Sequence, residues 1–319
     1  VYTTTNGAII ADLAALRAIP STDLPSSGFV VLFVAAENSW YEYNSSLTSG
    51  DVTPTDSPAT GRWIRIGRDK LLANRTYYVR ADGNDANTGL ADNSGGAFLT
   101  WSKAQDVLST LDGNGFAATV KFTGTFTTGI NITKSFVGFS SIQIDGNVST
   151  PSNSFINVSG GSAFVSDCST PILVRGLKLD SSSVGLWVKS GVVEINGVID
   201  FGANTFSHIY VSGQKAQLNQ RSSYTISGNS PTHIQILDQG LMDANNTAYT
   251  VTLSGSRTFS SAFITSNRGA SGIFVNITYS GTATGSRYSV GALSGIWAIG
   301  TTFAGSTGGT ADPKGYYGT

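Results

Sequence analysis

Asp180, Glu194, Asp200, Asp238 and Asp243 are the main acidic residues in the second half of the chain, so paired carboxyl groups are the first chemistry to test. Glycoside hydrolysis in its common form needs two carboxyl groups on one face, about 5 to 9.5 Å apart, one with a raised pKa. Glu194 and Asp200 stand either side of a turn expected at Asn196-Gly197, and Asp238 and Asp243 flank Gly240 across a corner. Their surroundings favour solvated turn carboxylates as the reading of each pair. Lyase chemistry wants a base beside acidic ligands or a neutralising cation, and Lys189, Lys215 and Arg221 show no convergent spacing. No catalytic residue is therefore assigned, and the chain is read as non-enzymatic with the question left open.

Metal and cofactor chemistry finds as little. His208 and His233 each stand ahead of an apolar strand, one repeat apart, and are expected to stack on adjacent repeats. Two histidines without a third ligand make a poor metal site, so they read as a structural ladder. The loop from Asp82 to Gly89 offers Asp82, Asn84, Asp85 and Asn87 as oxygen donors. An EF-hand count from Asp82 puts the closing Glu at Asn93, and a count from Asp85 puts it at Gly96, so the loop reads as a set of Asx turns. The one cysteine, Cys168, excludes an intrachain disulfide framework and a thiolate-built zinc site. Neither a metal nor a cofactor is expected.

Exposed rings are the better binding feature, because sugar faces pack on aromatic side chains. Trp187, Tyr210, Tyr288 and Trp297 fall within repeats, where interior packing or a subunit contact would use them equally well. Tyr316 and Tyr317 follow a glycine-rich tract that places them at a flexible or intertwined distal end, with tip packing as the plainer role. Tyr316, Tyr317, Trp297 and Tyr288 are the receptor-contact candidates.

The composition narrows the partners. Of 319 residues 12% are charged and the net charge is -1, so no basic footprint for nucleic acid exists. No apolar run reaches the roughly 18 residues of a membrane-spanning helix, so no membrane insertion is expected. The chain starts at Val1 without a signal-peptide pattern, which reads as a fragment or processed product. Scarce helix formers and abundant β-branched residues predict a mainly β protein.

Residues 1–70 read as a small α+β module. A short helix would carry Ile9, Leu13 and Leu16 on one face, followed by strands at Phe29 to Val34, Trp40 to Tyr43 and Arg62 to Ile66. Residues 71–118 hold a linker, an entry segment and a capping helix from Thr100 to Leu111, with Trp101, Ala104, Val107 and Leu108 on one face. Residues 119–300 repeat. With Val188, Val211, Ile236, Ile264 and Val290 taken as equivalent, the period is about 25 residues and imperfect. Three short apolar strands per repeat are what one rung of a parallel β-helix requires, whereas an antiparallel sandwich gives no reason for such a period. Residues 301–319 form a Gly/Ser-rich tail.

Tyr78-Val79-Arg80-Ala81-Asp82-Gly83-Asn84-Asp85-Ala86-Asn87-Thr88-Gly89-Leu90, with Phe98 to Trp101 downstream, resembles the entry segment of pectate-lyase-like right-handed parallel β-helices in bacteriophage tail fibres and tailspikes. The Ile10 to Leu16 helix, the Trp40-Tyr41-Glu42-Tyr43 strand and Gly61 to Arg65 are similar to a module at the head of phage fibre proteins, and Gly305 to Gly318 to their glycine-rich ends. The resemblance implies a homotrimeric fibre on a virion or phage-like particle. Its N-terminal module would meet other tail or baseplate proteins, and its β-helix or tip would meet a host surface glycan or envelope component. Two alternatives share the fold: a tailspike depolymerase acting on host polysaccharide, and a bacterial extracellular adhesin.

Overall fold

The computed structural model describes residues 9–24, 30–37, 39–245 and 248–319, and the N-terminal end of the expected Phe29 to Val34 strand lies outside them. Strands make up 49% of the chain and helices 8%, so the protein is mainly β as its composition predicts. It divides into one unit of Val1–Leu72 with Thr110–Asn114, and a second of Ala73–Ser109 with Gly115–Thr319.

In the first unit, strands β1 (Ile9–Ile10), β2 (Val30–Val34), β3 (Ser39–Asn44) and β4 (Arg62–Ile66) form one sheet in that order, and helix α1 spans Leu13–Arg17. The expected helix was longer. Asp12 stops it, because its carboxylate accepts from the Ala15 N–H at 2.8 Å and caps a helix that starts only at Leu13. Ile9 and Ile10 are thereby freed to pair with Phe33 and Val34 as a parallel edge strand. Leu16 is fully buried with Ile19, Leu32, Val34, Tyr41 and Trp63, whereas Ile9 is 72% exposed and off the expected apolar face.

The second unit is a parallel β-solenoid of about 12 turns. Each rung has three strands and hence the coil has three faces. The first face runs through 118–123, 142–145, 172–175, 191–195 and 216–220; the second through 154–158, 178–181, 200–204 and 224–226; the third through 164–167, 184–188, 207–212 and 232–237. The middle strands of the third face alternate. Leu186, Val188, Ile209, Val211, Ile234 and Ile236 are all fully buried inside, while Trp187, Tyr210 and Gln235 between them are not.

The register corrects one equivalence. Val188, Val211, Ile236, Ser266 and Val290 form the column, and Ile264 pairs instead with Ile234 and Tyr288. A two-residue slip leaves the same residues on the inner side, so the alternation of inward and outward positions alone cannot detect it. The coil also exceeds the expected 119–300. Arg75–Arg80 pairs with 118–123 at one end, and Thr310–Ala311 and Tyr316–Gly318 pair with 289–290 and 295–297 at the other, so the tail residues are rung strands. Helix α2 (Trp101–Thr110) supports the first rungs: the Trp101 Nε1–H donates to the Asn131 carbonyl at 2.9 Å, and Gln105 Oε1 accepts from the N–H groups of Thr133 and Lys134.

Candidate functional site

Alternation on the third face turns Trp187 and Tyr210 outward on neighbouring rungs, where their rings lie 5.2 Å apart. Phe206, 45% exposed, meets Tyr210 edge-on at 5.5 Å. The indole N–H donates to Ser212 Oγ at 3.1 Å, and Lys189 Nζ stands 4.2 Å from the indole centre. The hydrogen bond and the cation fix the indole in one orientation. Trp187 also walls a groove of about 620 Å³ whose other lining includes Asn131, Ser162, Val165 and Ser183. Sequence reasoning left Phe206 and Lys189 out of this cluster, and the i+2 alternation Trp187, Lys189 was the available signal for the second of them.

The four receptor-contact candidates separate into two pairs. Tyr288 lies in register with buried Ile264, and Tyr317 with buried Ile296, so both turn toward the inside of the coil and stack at 3.7 Å and 11°. They pack the last rungs, with Phe303 6.5 Å from Tyr317. Trp297 and Tyr316 face outward, 37% and 53% exposed, with rings 5.4 Å apart. Gly295 and Gly318 make this possible, since a Cβ on either would collide with the Trp297 or Tyr316 ring respectively. Tyr316 and Tyr317 are thus held in a strand rather than at a loose tip.

The two acidic pairs weighed from spacing have separate surroundings. Glu194 is on the first face and Asp200 on the second. Asp238 is bonded to Arg268 at 3.2 Å and Asp243 to Arg221 at 2.7 Å, each through an arginine of a neighbouring rung. The coil instead brings Asp180 and Asp200 onto adjacent rungs of the second face, with Lys178 opposite Asp200 and 3.8 Å from its carboxylate. Burial pushes the Asp180 carboxyl up, as does the Asp200 charge, against the pull of Lys178 and the Ala203 N–H. One oxygen of each carboxylate is buried without a hydrogen-bond partner. Gly202 leaves the space that Asp180 occupies.

His208 and His233 stack inside the coil as expected, both fully buried, with Nδ1 to Nδ1 at 3.0 Å and Tyr224 Oη 2.7 Å from His233 Nε2. A Tyr224 hydroxyl donating to His233 leaves the His233 Nδ1–H to donate to His208 Nδ1, while His208 Nε2 is buried without a hydrogen-bond partner among the described residues. Burial pushes His208 down to about 3 and His233 well below its ordinary value, the latter helped by His208.

The side-chain oxygens of Asp82, Asn84 and Asp85 are taken up by protein groups within and beside the loop. Asp85 accepts from the N–H groups of Leu99 and Thr100 and from the Thr100 hydroxyl, Asn84 accepts from the Ala86 N–H, and Asp82 pairs with Arg80. Among the described residues no helix is long and apolar enough to cross a membrane. No protein-family model matches the chain, and neither a curated protein nor a solved structure does.

Proposed function

We propose that the chain is a glycan-binding appendage of phage type, a homotrimer joined to its particle through the N-terminal unit and non-enzymatic. The outward Trp187–Tyr210–Phe206 cluster beside a groove of hydroxyls and amides carries this reading. Aromatic faces take the C–H faces of sugars, and neutral side chains exchange hydrogen bonds with hydroxyls without desolvating a charge. Trp297 and Tyr316 supply a second such platform near the C-terminal rungs. The identity as a tail fibre rests on the resemblance of the entry segment and the N-terminal module.

The test is incubation of the whole chain with a panel of purified bacterial surface polysaccharides, with binding and chain length measured together. Retention of at least one polysaccharide without shortening is expected, weakened tenfold or more by Trp187→Ala or Trp297→Ala. An absence of binding across the panel, or binding indifferent to both substitutions, overturns the reading.

A second reading, a depolymerase, is favoured by one observation: Asp180 and Asp200 share a face, and burial holds Asp180 toward its protonated form as a general acid requires. Shortening of the polysaccharide that is lost in Asp180→Asn would establish it in place of the non-enzymatic reading.

A further inference from the structure

Another groove on the coil is lined by none of these rings. It holds about 760 Å³, within the range of small-ligand sites, and borders the excursion at 146–153. Three consecutive rungs set Lys121, Asp145 and Arg175 in one register column along it. Asp145, with its side chain 8% exposed, grips the guanidinium twice, from Nε to Oδ1 at 2.7 Å and from a terminal nitrogen to Oδ2 at 3.2 Å. That grip fixes the fork of Arg175 while leaving its other N–H groups without a partner among the described residues. Lys121 is exposed and has no ion pair among them.

The neutral lining points the same way. Asn147 Oδ1 is occupied by the N–H groups of Ser149 and Thr150, which leaves its amide nitrogen as a donor. Asn153 and Thr125 offer further side-chain groups that no described residue takes. Two cations against one carboxylate give this groove one net positive charge, in a chain whose overall charge is -1. Ammonium and guanidinium groups make their strongest hydrogen bonds to anionic oxygens.

We propose that this groove binds a singly charged acidic sugar unit, its carboxylate or phosphodiester received by Lys121 and Arg175 and its hydroxyls by Asn147, Asn153 and Thr125. The inference rests on the glycan-binding reading and narrows the ligand to an acidic polysaccharide.

Calorimetric titration of the whole chain with three probes tests it: a galacturonate oligomer, its fully methyl-esterified form, and a phosphodiester-linked glycan oligomer, each at low and at high salt. At least one acidic probe should bind about tenfold or more tightly than the ester, with an affinity that falls as salt rises. The probe that binds identifies carboxylate or phosphodiester as the source. Lys121→Gln should weaken that binding about tenfold and Lys121→Glu should abolish it; Lys121 is exposed, so neither should disturb folding, and unchanged circular dichroism checks this. Equal affinity for acid and ester, or an acid affinity unmoved by Lys121→Gln, overturns the proposal. If the ester or a neutral polysaccharide still binds in a Trp187-dependent manner, only this inference fails. If no probe and no polysaccharide of the panel binds, the broader reading fails with it.

Discussion

Two buried residues make the chain sensitive to acid. His208 and His233 are held below 6.5 in the folded coil, His208 at about 3, so between those values the unfolded chain binds more protons than the folded one. The histidines' contribution to stability is in place above about pH 6.5 and falls as pH drops, by up to about 1.4 kcal/mol per pH unit for each ring. The denaturation midpoint in urea should therefore be lower at pH 5 than at pH 7, and the double variant His208→Leu, His233→Leu should flatten that slope. A midpoint independent of pH in the unaltered chain would contradict the buried neutral pair. Asp180 works in the opposite sense. Its carboxyl is raised by burial, so the folded chain binds the proton more tightly, and stability declines as pH rises through the folded value. Asp180→Asn should raise the thermal midpoint at pH 7 and lose that advantage below about pH 4, the ordinary carboxylate range. The stacking of the two histidines was legible from their spacing of one repeat, whereas the neighbourhood of Asp180 and Asp200 was not, because their register depends on an irregularity between Leu179 and Ser181.

At the scale of elements, helix α2 is tied to the coil through a few specific groups. Gln105 is 6% exposed and satisfies two backbone N–H groups beyond the 130–132 strand. Gln105→Ala should cost about 0.5–1.5 kcal/mol in chemical denaturation, because both N–H groups lose their protein acceptor, and Gln105→Glu, which keeps an acceptor oxygen, should recover most of it. The corners depend on backbone freedom in the same local way. Gly191 joins the third-face strand 184–188 to the first-face strand 191–195 at φ +70°, and a Cβ there would strike the Cys168 carbonyl of the preceding rung. Gly191→Ala should lose at least about 1–2 kcal/mol from the conformational term alone, read as a lower urea midpoint. The helix and the three-strand rung could be anticipated because each rests on a short-range pattern. The two-residue offset at Ile264 could not, since both registers bury the same kinds of side chain.

For the molecule as a whole, the homotrimer that the proposed function calls for should appear in native mass spectrometry at three times the 33.2 kDa chain mass, and a lone monomer would remove that part of the proposal. The class of fold was set by the sequence itself. Scarce charge and few helix formers favour strands, and a period of about 25 residues with three apolar strands in each repeat requires rungs that bury their inner faces against one another. These are local properties, carried by residues close together in the chain. The candidate site is of another kind. Trp187 with Tyr210, Trp297 with Tyr316, and the column of Lys121, Asp145 and Arg175 join residues of different rungs, and each grouping exists only because a rung lands in one register on the rung before it. The register is fixed by corner lengths and by which glycines allow close approach. A single strand's pattern of apolar and polar residues fixes which side faces water, but only the stacked coil decides which side chains meet there.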